Sequence, residues 1–197
     1  MWKRIFDIVW ASVGVVLLFP LLFVIGLLVK NDSYGPVFFR QTRIGQFGKP
    51  FRIFKFRTMC MDAESKGAQV STGDDPRITR IGRLLRKHKI DELPQLFNVI
   101  SGEMSLVGPR PEVPKYVDAF REDYEDILTA KPGITDYASL EFKNENDLLK
   151  AAEDPERKYI DEILPVKIEY YKRYLREQSF STDLKLIFLT LSGMIWR

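Results

Sequence analysis

Two adjacent carboxylates, Asp91 and Glu92, lie between a basic segment and an apolar run in residues 89–99. The side chain of Asp91 can cap a following helix, because it can accept hydrogen bonds from the free N–H groups of the first turn. Pro94 suits that turn, where a backbone N–H has no helical partner. A helix N-terminus favours negative charge and binds phosphate. The stretch therefore predicts either an ionised carboxylate held against a phosphate, or a helix cap with no further function.

Arg110 is a second candidate for phosphate chemistry, because it lies between Pro109 and Pro111. Both prolines have a fixed φ, and the residue before a proline is held in extended geometry. Such a segment presents the guanidinium with little conformational entropy to lose. Its planar fork matches phosphate oxygens bidentately. We therefore favour a phosphate-binding Arg110 over a structural one.

Lys55 and Arg57 supply two further cations. Residues 36–41 and 50–58 are predicted to form short strands joined as a hairpin by a glycine-containing loop. Alternate residues of a strand share a face, so the two cations would lie about 7 Å apart and could grip a diphosphate. The alternative is a strand face that contacts water or lipid headgroups.

Arginines recur at every third position from Arg77 through a helix predicted to run from Thr79 to about Lys87. This spacing puts them on one slowly rotating face, and we interpret most of them as solvated. One or two can still steer anionic substrates, and we include Arg77 among the phosphate-binding candidates. Residues 61–76 are polar and rich in turn formers, which predicts a mobile loop.

Taken together, these motifs resemble the bacterial sugar transferase family, the small monotopic phosphoglycosyl transferases. The resemblance extends from the N-terminal apolar segment to residues 132–135. It implies transfer of a phosphosugar from a UDP-sugar to polyprenyl (undecaprenyl) phosphate with release of UMP, the membrane-committed first step of a bacterial glycoconjugate pathway. The matching motifs are KFRTM (55–59), DPRITRIG (75–82), DELPQLFNV (91–99) and GEMSLVGPRP (102–111).

The resemblance also implies the roles of the two carboxylates. Asp91 would be the nucleophile that forms a covalent phosphosugar adduct, and Glu92 would assist it, with Mg²⁺ held by both. Covalent catalysis divides the transfer into two steps at one site. The divalent ion offsets the charge that repels an anionic nucleophile from a diphosphate. Members of the family often have Gly-Leu-Ala-Gln where residues 136–139 read Asp-Tyr-Ala-Ser, so no particular sugar is inferred.

The N-terminal segment predicts contact with a membrane. Residues 8–29 are 22 positions without a charge, and a helix of that length is roughly 33 Å long, about the thickness of the bilayer's hydrocarbon core. Pro20 lies in mid-run, where it removes a backbone hydrogen bond and bends a helix. Cations flank both ends, which is compatible with both ends on the cytoplasmic side. We therefore predict a re-entrant helix broken at Pro20, as the resemblance also implies, in the bacterial inner membrane. The run is too long for a cleaved signal peptide.

We predict an α+β fold that is mostly helical, with a small β-hairpin and amphipathic interfacial helices. Residues 1–30 would be the re-entrant membrane helix, and residues 31–197 a cytoplasmic catalytic domain packed on the membrane surface. The apolar segment 183–197 is either a helix in the membrane interface or a buried core helix. Further predicted elements are a short buried strand at residues 105–107 and helices over residues 113–130, 144–153 and 160–176.

Composition restricts the competing function classes. Residues 30–89 contain 14 Lys or Arg and 5 Asp or Glu, whereas residues 90–197 contain 14 and 21. A basic half that follows an apolar anchor favours anionic lipid and phosphorylated substrates over nucleic acid. The single Cys60 excludes an intrachain disulfide, and the sequence has no Cys/His cluster for zinc. The rival function is a non-enzymatic membrane scaffold, and the oligomeric state, including a homo-oligomer, is left open.

Overall fold

A computed structural model describes residues 2–61, 63 and 75–195 and has the predicted α+β fold, mostly helical. Most of the predicted loop at residues 61–76 lies outside the described residues. The strands are β1 (Phe38–Ile44), β2 (Pro50–Phe56), β3 (Ser105–Val107) and β4 (Gly133–Thr135). The helices are α1 (Trp2–Asp32), α2 (Arg80–Lys87), α3 (Gln95–Ser101), α4 (Pro114–Ala119), α5 (Arg121–Ile127), α6 (Tyr137–Glu141), α7 (Glu145–Lys150), α8 (Pro155–Lys158), α9 (Leu164–Glu177) and α10 (Phe180–Ile195).

The apolar N-terminal segment forms α1, a helix that continues on both sides of Pro20. The predicted interruption at Pro20 is therefore not seen. By the i→i−4 pattern a proline removes one donor, which leaves the carbonyl of Val16 without its helical partner. Residues on both sides of Pro20, including Ala11 and Leu22, are buried against the rest of the chain. That packing holds the two halves in one helix.

Both ends of α1 are fixed to the same folded body. Near its start, Lys3 pairs with Asp183 at the beginning of α10. At its end, the Asp32 carboxylate accepts the backbone N–H of Ile81 in α2 at 3.0 Å. Between these points α1 packs against α3, β3 and α2. The helix thus lies along the body rather than projecting from it.

The predicted hairpin is confirmed as the antiparallel pair β1–β2, with Phe38 opposite Phe56 and Ile44 opposite Pro50. Asn98 of α3 joins this hairpin to the segment that carries Asp91 and Glu92. Its side chain accepts the N–H of Phe54 at 2.8 Å and donates to the carbonyl of Arg52 at 3.0 Å. Asn98 is fully buried, so the two hydrogen bonds fix α3 against β2.

The predicted buried strand at residues 105–107 is β3, which pairs in parallel with β4. Gly108, the residue after β3, lies against Gly133, the first residue of β4. A Cβ atom on Gly133 would lie 2.1 Å from the backbone nitrogen of Gly108, so only glycine permits this approach. The N–H of Gly133 donates to the carbonyl of Pro109 at 2.9 Å. The contact anchors the segment that carries Arg110.

The C-terminal half differs from prediction in detail. The helix predicted over residues 113–130 is divided into α4 and α5 at Phe120, whose φ of −125° and ψ of 43° are not helical. The helix predicted over residues 160–176 begins with a π-helical turn at Tyr159–Ile163 and continues as α9. In α10, Leu186 is buried whereas Phe188 is exposed. This helix therefore has both a core side and an exposed apolar side.

Candidate active site

A cavity of about 710 Å³ brings together five of the six predicted site residues. It lies between the β1–β2 hairpin, the Asp91–Glu92 segment and the C-terminal helices. Distant parts of the chain meet here, because β2, the turn before α3 and the segment after β3 are held together by the contacts described above. The predicted site residues that line it are Lys55, Arg77, Asp91, Glu92 and Arg110, together with Arg86 from the basic helix.

The two carboxylates lie in a 3-10 turn, Ile90–Glu92, and not at the start of an α-helix. α3 begins only at Gln95, with Pro94 in the N-cap position, so the predicted capping role of Asp91 is wrong. The physical reason is local: Lys89 has a left-handed φ of 54° and starts a separate tight turn before the helix. Adjacent residues of such a turn diverge by about 120°, so the two carboxylates meet different neighbours.

Glu92 is held by cations on two sides. The Arg110 guanidinium donates to both carboxylate oxygens, with 3.1 Å between Nη1 and Oε2, and Lys55 donates to Oε1 at 2.7 Å. Burial alone would raise the pKa of Glu92, but Arg110 and Lys55 hold it well below its usual value. Glu92 is therefore an ionised group whose two oxygens are already engaged, and it fixes the direction of Arg110.

Asp91 differs from Glu92 in its hydrogen bonds and in the direction of its pKa shift. It is buried, and among the described residues no hydrogen bond ends on its carboxylate. Burial raises the pKa of Asp91, the negative charge of Glu92 raises it further, and Lys55 and Arg86 oppose the shift. We expected a helix terminus to lower this pKa, so the expected direction is wrong. Asp91 nevertheless has oxygen lone pairs that are available to phosphorus or to a metal ion.

The residues present fit Mg²⁺ only in part. The described part of the chain contains no group of three or more His, Cys, Asp or Glu that could hold a metal. Mg²⁺ is commonly held by one or two carboxylates together with substrate phosphates and water. Asp91 can serve as such a ligand, whereas the oxygens of Glu92 are occupied by Arg110 and Lys55. The assignment of Mg²⁺ to both carboxylates stays a prediction, and the geometry favours Asp91.

Arg57 does not belong to the cavity, contrary to its predicted phosphate-binding role. β2 ends at Phe56, so the alternation that would put Arg57 on the same face as Lys55 does not reach it. The side chain is buried and closes the C-terminal end of α1, where carbonyls lack helical partners. Its guanidinium donates to the carbonyl oxygens of Val29, Ser33 and Tyr34.

Arg77 lines the cavity but is paired with Asp75, whose two oxygens accept from its guanidinium. The hydrogen bond to Asp75 raises the pKa of Arg77. Its phosphate-binding role remains a prediction. Arg86, which we interpreted as solvated, lines the same cavity as Asp91 and Glu92, which we call the dyad. Its Nε donates to Thr58 at 2.9 Å, and its charge acts on Asp91.

The sequence analysis missed the residues on the other side of Arg110. These are cavity-lining groups contributed by β1, by the segment before α4 and by the C-terminal helices. One of them carried a readable signal: Lys167 occupies the buried stripe of α9, between Leu164 and Tyr171, where a charge is unexpected. The missed polar residues are Arg43, Glu112, Glu145, Tyr159 and Lys167.

The chain is similar in sequence to several known proteins. A family model described as bacterial sugar transferase matches residues 1–197. UDP-glucose:undecaprenyl-phosphate glucose-1-phosphate transferase of Escherichia coli (strain K12) is 39% identical over 193 residues, which are 96% of this chain and 39% of that protein. UDP-N-acetylgalactosamine-undecaprenyl-phosphate N-acetylgalactosaminephosphotransferase of Aeromonas hydrophila is 39% identical over 198 residues, 98% of this chain and 43% of the relative.

A relative of closer length is a UDP-glucose:undecaprenyl-phosphate glucose-1-phosphate transferase of Caulobacter vibrioides. It is 39% identical over 197 residues, which cover 98% of this chain and 69% of the relative. The chain thus spans about two-fifths of the first two relatives, 39% and 43% of their lengths. Their names differ in the sugar, glucose in one and N-acetylgalactosamine in the other, over nearly the same aligned region.

Proposed function

The chain belongs to the bacterial sugar transferase family, and from this premise we propose that it transfers a phosphosugar from a UDP-sugar to undecaprenyl phosphate, releasing UMP. One observation carries the proposal. Among the residues that the structure describes, no hydrogen bond reaches the carboxylate of Asp91, whereas that of its neighbour Glu92 is engaged by Arg110 and Lys55. A scaffold needs no such division between two adjacent acids.

In the first step an oxygen of Asp91 attacks the β-phosphorus of the UDP-sugar. The bond from that phosphorus to the oxygen bridging the two phosphates breaks, and UMP leaves with the electron pair. The product is an acyl-phosphate that joins Asp91 to the phosphosugar. In the second step an oxygen of undecaprenyl phosphate attacks the same phosphorus, and the Asp91 carboxylate leaves. The two displacements balance and return Asp91 unchanged.

Cations around the dyad support this chemistry. Attack requires ionised Asp91. Burial and the charge of Glu92 raise the pKa of Asp91, so positive charge close to it favours the ionised form. Arg86 and Lys55 contribute part of this charge. Asp91 would be the residue that holds Mg²⁺, and the ion would supply further positive charge that offsets the repulsion between the nucleophile and the diphosphate. Glu92 keeps the guanidinium of Arg110 oriented toward the transferred phosphate.

We also propose that the protein lies flat on a membrane, the bacterial inner membrane, with both ends of α1 on the cytoplasmic side. α1 is long and apolar enough to cross a membrane, but its two ends are tied to one folded body through Lys3 and Asp32. A crossing would have to separate these anchors. We call its exposed apolar residues the α1 face: Trp2, Ile5, Ile8, Val9, Trp10, Val13, Val16, Leu17, Phe19, Leu21, Phe23, Val24, Leu27 and Leu28.

α10 extends the α1 face. Phe180 contacts Phe6 edge-on, with 5.1 Å between ring centroids, and Phe188 and Leu191 remain exposed further along α10. Exposed apolar area of this extent is uncommon on a soluble monomer. A flat membrane contact would cover both helices while the cavity stays accessible to a water-soluble UDP-sugar.

The proposed function is tested with detergent-solubilised protein and a panel of UDP-sugars. We expect multiple-turnover release of UMP to depend on undecaprenyl phosphate and Mg²⁺, because the UDP-sugar alone supports only the first step. Intact mass after incubation with the UDP-sugar alone should show a phosphosugar increment on the wild type. Asp91→Asn should abolish both the increment and turnover, while Glu92→Gln should retain some increment.

Two results would contradict the proposal in different ways. An absence of UMP release with every UDP-sugar would return the protein to a scaffold role. UMP release without any adduct on the wild type would leave transfer in place but make it direct, with Asp91 as a metal ligand and not a nucleophile.

A further inference from the structure

The cavity continues past Arg110 into a second part, which we call the distal arm: Ser139, Phe142, Glu145, Tyr159, Lys167 and Tyr171. We propose that the distal arm binds the sugar ring of the UDP-sugar and decides which sugar is accepted. The inference rests on the proposed function and adds to it the residues that select the substrate.

A series of charged and hydroxyl groups leads from the dyad to the distal arm. Arg110, which holds Glu92, is also within electrostatic reach of Glu112 and Glu145. The Glu112 carboxylate accepts the hydroxyl of Tyr159 at 2.8 Å. Lys167 lies 3.5 Å from that hydroxyl. The distal arm therefore opens directly from the position where the β-phosphate would be bound.

The charge of the cavity lining differs between the two sides of the dyad. On the side of Asp91 lie Arg77 and Arg86. In the distal arm the buried cation Lys167 is paired with Glu145. The β-phosphorus carries a neutral sugar on one side and an anionic nucleotide on the other. The nucleotide, which leaves as an anion, suits the arginine-rich side, and the neutral sugar suits the charge-balanced distal arm.

The distal arm has the groups that recognise sugar hydroxyls. Glu145 is 28% exposed and is held in place by Lys167, whose side chain is only 4% exposed. A fixed carboxylate accepts hydrogen bonds from hydroxyls with little entropy loss, and a site built for a given hydroxyl discriminates strongly against analogues that lack it. The Lys167 ammonium lies 5.8 Å from the ring centroid of Phe142 and 4.8 Å from that of Tyr159. These rings offer apolar surface for the C–H faces of a sugar.

An unpartnered hydroxyl supports a ligand in this position. Tyr171 is fully buried in the cavity wall, and its hydroxyl has no hydrogen-bond partner among the described residues. Buried hydroxyls are normally hydrogen-bonded, so an exception beside a cavity points to a partner from outside the chain. Tyr159 also begins the π-helical turn before α9, a local structure that is frequent at functional sites.

The first test replaces Glu145 by Gln, which keeps the size of the side chain and removes its charge. We measure kcat/KM for UDP-glucose, UDP-galactose and their N-acetylated counterparts, and the inhibition constant of UMP. For the preferred sugar kcat/KM should fall roughly 10-fold or more, the effect of a lost hydrogen bond to a charged group. The ratio between epimers should shift, and inhibition by UMP should stay unchanged.

Glu156→Gln is the matched control. Glu156 is also the acid of a Lys–Glu pair, with Lys115, and at 23% its exposure is close to that of Glu145. It does not line the cavity. Its replacement should leave kcat/KM for every UDP-sugar at the wild-type value.

Tyr171→Phe is a second test of the distal arm, and it stays informative if Glu145→Gln fails to fold. The change removes only a hydroxyl that has no protein partner, so thermal stability should not fall. If the hydroxyl meets the sugar, kcat/KM should drop roughly 2- to 10-fold. Tyr124→Phe is its control, because the Tyr124 hydroxyl is also buried and unpartnered among the described residues, but Tyr124 does not line the cavity.

Three outcomes would overturn the inference. Wild-type kcat/KM in Tyr171→Phe and in folded Glu145→Gln would remove the distal arm from the site. An equal fall for all sugars would deny it a role in selection. Weaker inhibition by UMP would assign it to the nucleotide. A wild type that turns over no UDP-sugar would instead refute the proposed function, and the inference would fall with it.

Discussion

The cavity buries charged side chains, whereas the α1 face exposes apolar ones. In the cavity Glu92 is enclosed by Arg110 and Lys55. On the α1 face Leu17 is 73% exposed and Val16 is 72% exposed. Removing an ion from water costs several kcal/mol unless it is paired and hydrogen-bonded, while exposed apolar area costs free energy in proportion to its extent.

The two regions should therefore respond differently to substitution. A buried ion network depends on a few contacts, so that the loss of one group leaves another charge unpaired. The α1 face would bind a membrane through many side chains, each of which adds a small part of the binding free energy. We expect single changes to have large effects in the cavity and small effects on the α1 face.

The largest effect is expected for Arg110→Lys. An ammonium cannot reproduce the bidentate contact with Glu92 or with a phosphate, so turnover should fall by about 100-fold or more, as for the loss of a donor that stabilises developing charge. Circular dichroism should show a folded protein, and UMP release measures the loss. Arg121→Lys, at an exposed pair with Asp118, should be neutral. Near-normal turnover in Arg110→Lys would give Arg110 a structural role.

The second prediction contrasts the effects of substituting Asp91 and Glu92 on the stability of the fold. Glu92→Gln leaves Lys55, 16% exposed, and Arg110, 28% exposed, without their anion and should destabilise the protein by about 3 kcal/mol. Asp91→Asn removes a buried charge that is repelled by Glu92 and should leave stability equal or higher, by up to about 2 kcal/mol. Thermal unfolding of both variants at neutral pH measures the difference. A loss of stability in Asp91→Asn as large as that in Glu92→Gln would contradict the division of roles.

The third prediction concerns pH. The pKa of Asp91 is raised, so its ionised form destabilises the fold at neutral pH and this penalty disappears as the pH falls through the raised pKa. The pKa of Glu92 is depressed, so its stabilisation is present above its unfolded pKa and is lost as the pH falls through the depressed value. As the pH falls, activity should therefore decline when Asp91 becomes protonated, while Glu92 is still ionised and still stabilises the fold.

The measurement is kcat/KM against pH, which reports the ionisations of the free enzyme. The acid limb should have its midpoint above the ordinary aspartate value of about 3.9, in a range where circular dichroism is unchanged. A profile that stays flat down to that value would show that Asp91 is not the group that must be ionised.

A smaller effect is expected from Leu17→Glu on the α1 face. It replaces a side chain that a membrane would cover, worth about 1.5–3 kcal/mol when fully buried, and should lower binding to anionic vesicles in a flotation assay. Phe47→Glu is the control, because Phe47 is similarly exposed, at 69%, in the loop that joins β1 to β2. Equal losses in the two variants would deny the α1 face a special role.

The smallest effect is expected from Pro20→Leu. If re-entry depended on a break at Pro20, this change would favour a spanning helix. Because Lys3 and Asp32 tie both ends of α1 to one body, we expect sidedness to stay the same. Cysteines at positions 2 and 31, in a Cys60→Ser background, should be labelled from the same side of the membrane before and after the change. Labels on opposite sides would refute a flat α1.

Local patterns in the sequence determined much of the fold. The strands β1 and β2, the start of a helix at Thr79 and the short strand β3 were all predicted within a few residues. Each depends on side chains and turns close together in the chain, where periodicity and capping rules apply. The pairing of Asp91 with Glu92, the rigid placement of Arg110 and the apolar length of α1 were readable for the same reason.

Only the tertiary structure decided which charges meet. Glu92 lies 37 residues along the chain from Lys55 and 18 residues from Arg110. No local rule specifies contacts between residues so far apart in sequence. Burial reversed the expected direction of the pKa of Asp91, and the end of β2 turned Arg57 toward α1 and away from the cavity. Glu145 of α7 and Lys167 of α9 line the cavity and form an ion pair across 22 residues of sequence. A sequence pattern specifies which face a residue occupies on its own element, but the electrostatic environment depends on every element that packs against it.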